Sequence, residues 1–251
     1  MSSYLITGAS RGFGLELVKH LSSYPSTTIR KIFAAARGSS PTAPLAEIIK
    51  NSNNRVHFIE LDVTDEESII AAVGEVEKLL GSQEGLDVLI NNAAIQGDSA
   101  AISEMKIAEL EETISVNLFG VHRVSSLFLP QLAKSQEKKI VNISSTLGSI
   151  ELGTQSPNGR FTSYKISKAA LNMLTIQYAY ELGPKGFTVF ALSPGWLQTD
   201  LGGERAHLKP ADGARATLDI ILHTQQNRDN GSFRDIYIEG SDIYTGQNPV
   251  W

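Results

Sequence analysis

A tyrosine and a lysine four positions apart carry the chemistry that the sequence offers most clearly. Tyr164 and Lys168 lie in a stretch, 163–182, whose pattern is typical of a helix, so both side chains share one helix face. An ammonium beside a phenol stabilises the phenolate and lowers a pKa that is ordinarily about 10. A tyrosine tuned in this way exchanges a proton with a substrate oxygen near neutral pH. Because the same spacing is common on exposed helix faces, the pair needs support from the rest of the chain.

The elements that must position this pair alternate along the chain. Short β-rich apolar runs predict strands at 4–7, 31–36, 56–61, 88–91, 140–144, 188–193 and 235–238. Helical patterns separate them, at 12–23, 44–51, 65–80, 103–133, 163–182 and 210–224. This alternation predicts an α/β fold, a single-domain, Rossmann-type, doubly wound parallel sheet of about seven strands flanked by helices and spanning 1–251. Ligands are expected along the carboxyl ends of the strands.

Composition narrows the possible functions. The net charge of −5 and the pI near 5.6 give no electrostatic support for a nucleic-acid partner. There is no cysteine, which excludes disulfides, a catalytic thiol and thiolate metal sites, and favours a reducing, cytoplasmic compartment. The five histidines are scattered without a ligand spacing, so no metal site is predicted. The first residues lack a signal-peptide pattern, and no apolar run reaches the ~20 residues that cross a bilayer, so no membrane partner is expected.

A glycine-rich turn between the first strand and the first helix predicts a nucleotide site. Glycines let the backbone approach a pyrophosphate, and the N-terminus of the following helix offers free N–H groups and the positive end of its dipole. A plain turn would look similar, but the position between an N-terminal strand and a helix is the context that dinucleotide binding requires. The residues predicted to contact the dinucleotide are Gly8, Ser10, Arg11, Gly12, Phe13 and Gly14.

The end of the second strand bears on which dinucleotide binds. NAD-specific sites place an acidic residue there for the ribose hydroxyls. Here the strand ends in three alanines followed by Arg37, without a carboxylate. Arg37 and Arg11 are therefore predicted to meet a 2′-phosphate and to favour NADP(H) over NAD(H). An ordinary solvated cation is the alternative reading of Arg37.

Two further cofactor candidates follow the third strand. Asp62 is placed to accept a hydrogen bond from an adenine amino group, and Val63 lies beside it. Thr64 and Glu67, three residues apart, match a capping box at the start of the next helix. Because the first role uses Asp62 and the second uses Thr64, the two are compatible.

More motifs follow the glycine-rich turn in a fixed order. They are Asn91-Asn92-Ala93 after the fourth strand, Asn117 in Ser-Val-Asn-Leu-Phe-Gly, Ser145 in Ile-Ser-Ser-Thr-Leu-Gly, the Tyr164/Lys168 pair, and Ser193-Pro194-Gly195 with Trp196 and Thr199 beyond it. In this order they resemble the classical short-chain dehydrogenase/reductase family from end to end. Within that family the chain looks similar to the carbonyl reductase branch of sniffer and C-factor proteins, and in part to fungal ketoreductases of polyketide pathways.

The resemblance implies a role for each motif. Ser145 would stabilise negative charge on the substrate oxygen, Tyr164 would donate the proton, and Lys168 would lower the tyrosine pKa and hold the nicotinamide ribose. Asn117, the fourth catalytic residue, would anchor a water that links Lys168 to solvent. The cofactor would be NADP(H), held by the glycine-rich turn and by Arg37, Asp62, Val63, Asn91, Asn92, Ala93, Tyr164, Lys168, Pro194, Gly195, Trp196 and Thr199.

Two features depart from the family pattern. Ala94 stands where the strand-four motif usually has glycine, and its methyl could crowd the backbone near the cofactor. The spacing of 19 residues from Ser145 to Tyr164 is longer than in many members, and a loop absorbs the difference at small entropic cost. Of the two adjacent serines, Ser145 rather than Ser144 is predicted to be catalytic because it stands three residues before Gly148.

The family further implies the substrate side of the site. Substrate loops are expected at 146–163 and 196–210, with an apolar lining from Leu147, Ile150, Leu152, Phe161, Trp196 and Leu197. Arg160 and Arg205 either meet an anionic group of the substrate or remain solvated loop charges. The C-terminal residues 244–251 are expected to pack over the substrate mouth or against a neighbouring subunit.

The implied activity is NADPH-dependent reduction of a ketone or aldehyde, a small-molecule carbonyl substrate. The helices at 103–133 and 163–182 resemble those that form dimers in the family, which implies a homo-oligomer, either a dimer or a tetramer. Two alternatives stay open for the function. One is an alcohol dehydrogenase that works in the oxidative direction, and the other is a sensor or scaffold that binds NADP(H) without chemistry.

Overall fold

Seven parallel strands form one sheet at the centre of the molecule. The computed structural model describes residues 1–81, 83–99, 101–155 and 160–251. The strands are β1 Ser2–Thr7, β2 Ile29–Ala36, β3 Val56–Glu60, β4 Val88–Asn91, β5 Lys139–Ile143, β6 Thr188–Ser193 and β7 Phe233–Asp235. Their order in the sheet is β3-β2-β1-β4-β5-β6-β7, and each neighbouring pair is parallel. The doubly wound α/β sheet predicted from the sequence is confirmed.

Helices cover both faces of this sheet. They are α1 Gly12–Ser23, α2 Ala43–Asn51, α3 Glu66–Leu80, α4 Ile107–Ile114, α5 Val121–Ala133, α6 Ile150–Gln155, α7 Thr162–Leu182, α8 Pro210–Leu222 and α9 Gln226–Asp229. Successive strand residues point to opposite faces, so Tyr4 and Ile6 pack with α1, α2 and α8 whereas Leu5 packs with α3, α5 and α7. Two buried apolar layers thus share one sheet and form a single domain. In the parts of the chain that the structure describes, no helix is both long and apolar enough for a membrane span.

The direction in which strands are added reverses between β1 and β4. From β1 the sheet grows through β2 to β3 on one side and through β4 to β7 on the other. Ligands of open α/β sheets bind outside the carboxyl ends of the strands at such a reversal. Thr7 ends β1 and Asn91 ends β4, so the segments that follow these two residues begin the candidate site.

The helix predicted over 103–133 is divided in the structure. α4 ends at Ile114, a π-helical turn occupies Ser115–Gly120, and α5 continues from there. Single π turns of this kind are frequent at functional sites, and this one carries Asn117. A Cβ added to Gly120 would lie 2.9 Å from Cγ2 of Val63, so the turn passes close to the chain after β3. A second difference is α6, which forms in a stretch predicted to be loop.

The last strand ends earlier than the sequence pattern predicted. β7 is Phe233–Asp235 rather than 235–238, because the chain leaves the sheet after it. The Asp235 carboxylate accepts a hydrogen bond from the Ile236 backbone N–H (2.9 Å), and the Ile238 N–H donates to the Tyr244 carbonyl (2.8 Å). Ile236 is therefore buried and Ile238 half-buried by packing outside the sheet. Their alternating apolar positions match a strand pattern although neither residue is in a strand.

The capping box predicted at Thr64 and Glu67 is wrong. Asp65 is the N-cap of α3, and its carboxylate accepts the Glu67 backbone N–H at 3.1 Å. The Thr64 hydroxyl instead donates to the Asp62 carboxylate at 2.7 Å. A carboxylate directly before the helix outcompetes the hydroxyl one residue earlier.

Gly14 allows α1 to approach the strand ends. A Cβ added there would lie 2.3 Å from the Gly8 carbonyl oxygen and 2.6 Å from the Asn92 side-chain nitrogen. Both distances are far inside van der Waals contact, so any side chain at position 14 would push the helix away from the glycine turn.

We expect Gly14→Ala to destabilise the fold by about 1–3 kcal/mol through this overpacking. Gly74→Ala is the matched control, because Gly74 is an exposed glycine inside α3 with no atom within 4 Å of an added Cβ. There alanine should stabilise the protein by about 0.5–1 kcal/mol through its better helix propensity. Thermal unfolding followed by circular dichroism measures both. A Gly14→Ala melting temperature equal to that of the unchanged protein would contradict the close approach.

Candidate active site

A cleft of about 1890 Å³ opens at the carboxyl ends of the strands. It brings together most of the residues that the sequence analysis selected. Those that line it are Gly8, Ser10, Arg11, Gly12, Phe13, Gly14, Arg37, Asp62, Val63, Asn92, Ala93, Ser145, Tyr164, Lys168, Pro194, Gly195, Trp196 and Thr199. Asn91 and Asn117 are not among the lining residues.

The glycine turn has the shape that a dinucleotide phosphate requires. Gly8 and Gly12 adopt positive φ angles of 68° and 55°, which favour glycine. A Cβ on Gly8 would lie 2.9 Å from the Cα of Ala93, so the turn packs directly on the chain after β4. Arg11 is the N-cap of α1 and its side chain makes no capping bond, which leaves the first N–H groups of α1 facing the cleft for an anion. These residues fit a dinucleotide.

Asn92 fixes this turn to the neighbouring strand. Its side-chain amide donates to the Thr7 carbonyl at 2.8 Å, and its backbone N–H donates to the Thr7 hydroxyl at 3.0 Å. The ends of β1 and β4 are thus joined by hydrogen bonds at the reversal of the sheet.

The side chain of Asn91, the residue before Asn92, points away from the cleft. Its amide donates to the Ser125 hydroxyl (2.9 Å) and to the Asn142 side-chain oxygen (2.8 Å). Asn142 in turn donates to the Thr175 hydroxyl at 2.9 Å. Because neighbouring residues face opposite sides, Asn92 lines the cleft and the Asn91 side chain is held in the interior.

Two charged residues, Arg37 and Asp62, line the cleft near the ends of β2 and β3. Arg37 is exposed directly after β2. Burial alone would raise the pKa of the Asp62 carboxyl, but hydrogen bonds from Thr64 and the nearby Arg37 charge hold that pKa below its ordinary value. Asp62 therefore carries a negative charge at neutral pH and accepts hydrogen bonds.

An ion pair crosses the mouth of the cleft. Arg11 from the glycine turn donates to the Asp200 carboxylate at 2.7 Å, although the two residues are 189 positions apart. Both side chains are 75% exposed, so the pair contributes about 0–1 kcal/mol. Beneath it, a Cβ on Gly12 would lie 3.4 Å from a Thr199 methyl, so the two walls of the cleft meet here.

Three side chains converge on the other side of the cleft. Tyr164 and Lys168 project from α7 and are only 7% and 2% exposed. Ser145, two residues after β5, lies beside the Tyr164 phenol, where its hydroxyl opposes the rise of the phenol pKa, and the same hydroxyl accepts the Leu147 backbone N–H at 3.1 Å. The Lys168 ammonium donates to the Ile143 carbonyl at 2.7 Å and lies 5.4 Å from the centre of the Tyr164 ring. The Ser144 hydroxyl points inward and donates to Asn172 at 2.6 Å, so Ser145 is the serine beside the tyrosine.

Burial changes the pKa of both ionisable groups in this set. It raises the pKa of the Tyr164 phenol to about 12, against the opposing effect of the Ser145 hydrogen bond. It lowers the pKa of the Lys168 ammonium to about 7. The sequence analysis expected Lys168 to lower the tyrosine pKa; in this structure burial sets the pKa of Tyr164 above its ordinary value. A lysine with a pKa near 7 carries only part of its charge at neutral pH.

Asn117 lies behind Tyr164 and holds the segments around it in place. Its side-chain oxygen accepts the Ile95 N–H at 2.9 Å, and its amide donates to the Ile95 carbonyl (2.8 Å) and to the Ser167 hydroxyl (3.0 Å). Ser167 donates to the Tyr164 carbonyl at 2.7 Å. Asn117 thus ties the cleft segment around Ile95 to the first turns of α7.

Comparison with known proteins gives the family of the chain. A family model described as short chain dehydrogenase matches residues 3–209. The chain belongs to the short-chain dehydrogenase family. It is therefore an oxidoreductase.

Relatives of this short-chain dehydrogenase include a fungal member and two carbonyl reductases of known structure. Short-chain dehydrogenase/reductase atnB of Arthrinium sp is 38% identical over 209 residues, which are 80% of this chain and 76% of that protein. The structure of the carbonyl reductase Sniffer of D. melanogaster has a TM-score of 0.89 at 31% identity and covers 100% of both chains. An NADPH-bound carbonyl reductase from chicken fatty liver has a TM-score of 0.87 at 31% identity, over 100% of this chain and 99% of that one. The resemblance to the sniffer-like branch and to fungal members is confirmed.

The substrate side of this short-chain dehydrogenase contains most of the predicted walls. Leu147, Leu152, Arg160, Phe161, Trp196, Leu197 and Arg205 line the cleft, whereas Ile150 is exposed outside it. Phe161 adopts a left-handed φ of 57° just before α7, a strained conformation that is typical of functional sites. Residues 156–159 of the predicted loop 146–163 lie outside the described residues. The C-terminal segment was expected either over the substrate mouth or against a neighbouring subunit. The structure places residues 243–245 and 247–250 along the cleft.

Other lining residues were missed by the sequence analysis. His207 was counted among scattered histidines, yet it lies in the cleft wall with its ring 4.9 Å from that of Trp196. Asp235, at the end of β7, also lines the cleft. Burial raises the pKa of its carboxyl against hydrogen bonds from Ile236 and Ser193. The sequence signals that could have found them were the position of His207 on the 196–210 loop and that of Asp235 at a strand end.

The lowered pKa of Lys168 predicts how stability depends on pH. In the unfolded chain a lysine has a pKa of about 10.4, so between pH 7 and about pH 10 the unfolded chain binds more protons at this position. The free energy of unfolding should therefore rise with pH in this window, by about 1 kcal/mol per pH unit. Lys168→Met should lose this rise. Urea unfolding at several pH values in that window measures it.

Lys185→Met is the control for the pH series, because Lys185 is an exposed lysine just beyond α7. Its pH profile should follow that of the unchanged protein. If the profile of Lys168→Met were also parallel to it, Lys168 would not be neutral in the folded protein.

Proposed function

We propose that this short-chain dehydrogenase is an NADPH-dependent carbonyl reductase that converts a ketone or aldehyde to an alcohol. The convergence of Ser145, Tyr164 and Lys168 on a cleft that begins at a glycine turn carries the proposal. The structural likeness to an NADPH-bound carbonyl reductase and to the carbonyl reductase Sniffer supports it.

In this proposal two groups of cleft residues bind the two ends of the cofactor. The glycine turn and the N-terminus of α1 would hold the pyrophosphate, Arg37 and Arg11 the 2′-phosphate, and Asp62 with Val63 the adenine. Toward the other end, Asn92 and Ala93 would border the ribose, and the segment from Pro194 to Thr199 would border the nicotinamide. The lack of any acidic residue at the end of β2 supports NADP(H) over NAD(H). When bound in its reduced form, the nicotinamide supplies the hydride for the carbonyl carbon.

Tyr164 acts as the general acid in this proposal. Its pKa of about 12 keeps the phenol protonated at neutral pH, so it has a proton to give to the carbonyl oxygen as negative charge develops there. Ser145, which lies beside Tyr164, donates its one hydroxyl proton in a hydrogen bond to the same carbonyl oxygen. The reaction consumes this proton and one hydride for each alcohol formed.

Lys168 stabilises the tyrosine after proton transfer. The phenolate that remains on Tyr164 attracts a proton to Lys168, so the two groups titrate as a pair. The resulting ammonium stabilises the phenolate until a proton returns from solvent. Asn117 is proposed to anchor a water on that return path, held by its bonds to Ile95 and Ser167.

The rest of the cleft bears on substrate and assembly. Apolar walls from Leu147, Phe161 and Trp196 fit a small carbonyl compound with an apolar body.

Exposed apolar side chains on the segment from α4 to α7, such as Phe119 and Met173, support a homo-oligomer formed through these helices. Light scattering would then give a solution mass above the 27.2 kDa of one chain.

Removing the phenol hydroxyl tests the catalytic assignment. Tyr164→Phe should lower kcat for NADPH oxidation by about 100- to 10,000-fold, because the general acid is lost, while NADPH binding stays within about twofold. The assay is loss of NADPH absorbance against aldehydes, ortho-quinones, α-dicarbonyls and aryl ketones. Tyr180→Phe, an exposed tyrosine on the same helix, should keep full activity. Near-normal turnover by Tyr164→Phe would sink the mechanism.

Arg37 tests the choice of cofactor. Arg37→Ala should weaken NADPH binding by about 10- to 100-fold and leave NADH binding unchanged, because only NADPH carries the 2′-phosphate. Titration of cofactor binding by fluorescence measures both. Arg215→Ala, which removes an exposed arginine of α8 outside the cleft, is the control. Preference of the unchanged protein for NADH would refute the NADP(H) assignment.

A further inference from the structure

The turn after β6 is held by a residue from the far end of the chain. The Trp196 backbone N–H donates to the Tyr244 phenol oxygen at 3.0 Å, across 48 positions of sequence. Tyr244 is only 6% exposed, so this hydrogen bond is shielded from water. A shielded bond of this kind restrains the turn more than an exposed one would.

The tyrosine ring also packs against the turn. A Cβ on Gly195 would lie 3.0 Å from the Cε1 of Tyr244, and Gly195 has a φ of 82°. The turn therefore has a left-handed glycine pressed against the ring, directly beside the residue whose N–H bonds to the hydroxyl. Hydroxyl and ring together leave the turn little freedom.

Tyr244 is itself fixed by its own segment. Its carbonyl accepts the Ile238 N–H at 2.8 Å, and its N–H donates to the Ser241 hydroxyl at 3.1 Å. The ring of His207 lies 6.4 Å from the Tyr244 ring and 4.9 Å from the Trp196 ring. The C-terminal segment thus brings a rigid phenol to the cleft wall.

We propose that Tyr244 is a positioning residue that fixes the turn from Pro194 to Trp196 and thereby sets how the cleft receives the nicotinamide half of the cofactor. The inference rests on the proposed function, in which this turn borders the nicotinamide. Tyr244 acts through Trp196 and Gly195, and the adenine half of the cleft does not depend on it.

The two halves of the cofactor can be tested apart. Adenosine 2′,5′-bisphosphate carries the adenine, its ribose and the 2′-phosphate, and lacks the nicotinamide. Tyr244→Phe keeps the ring and removes the oxygen that accepts the Trp196 N–H. We expect the Kd for NADPH to rise about three- to tenfold, as for one lost hydrogen bond, and the Kd for the bisphosphate to stay within about twofold.

Tyr237→Phe is the matched control. Tyr237 lies seven positions earlier in the same segment, is 62% exposed, and does not line the cleft. Neither Kd should change in this variant. Isothermal titration of both ligands against the three proteins gives all six constants.

Each outcome decides the proposal. Weaker NADPH binding with unchanged bisphosphate binding in Tyr244→Phe supports it. Unchanged binding of both ligands overturns it, because the hydroxyl then does not hold the turn. Equal weakening of both also overturns it, because Tyr244 would then support the cleft in general. If the unchanged protein binds NADH rather than NADPH, the proposed NADP(H) specificity fails, but the proposal for Tyr244 can still be tested. NADH and adenosine 5′-monophosphate then replace NADPH and the bisphosphate as the two ligands.

Discussion

The close packing of α7 on the chain after β5 is the constraint on which the geometry of the candidate active site depends. Gly148 makes it possible, since a Cβ there would lie 2.7 Å from the carbonyl carbon of Lys168. At this short range the Lys168 ammonium reaches the Ile143 carbonyl, and Tyr164 reaches Ser145. The same closeness removes water from the pair and produces both pKa changes. One backbone approach therefore sets position and proton affinity together.

Much of the fold was predictable because its signals are local. Apolar runs bounded by turns marked the strands, and β4 and β6 begin and end where the sequence pattern placed them. The errors arose where contacts between residues distant in the sequence determine the local structure. Ile236 and Ile238 look like strand residues, but they are buried against other parts of the chain, and the π-helical turn Ser115–Gly120 has no periodic signature of its own. Tertiary packing overrides pattern at these places.

The candidate site was predictable as a set of motifs and less so as a geometry. Ordered motifs selected Ser145 and Tyr164, and the structure places both in the wall of one cleft. Spacing could not show that the Asn91 side chain faces the interior, because that depends on which face of β4 meets the cleft. Nor could it show the direction of the Tyr164 pKa, which depends on burial. Tyr244 belongs to the cleft only through a fold that returns the end of the chain to β6.

The pairing of β1 with β4 also bears on how the protein folds. Tyr4 lies opposite Val88, so the central pair of strands closes a chain segment of more than 80 residues before any cleft exists. Closing such a segment has an entropic cost that no local contact offsets, and topologies with many distant contacts fold slowly. One end of the cleft starts from these two strands, and the other from β5, β6 and α7. The cleft therefore requires the whole sheet to be assembled, and binding at the cleft reports on the integrity of the whole domain.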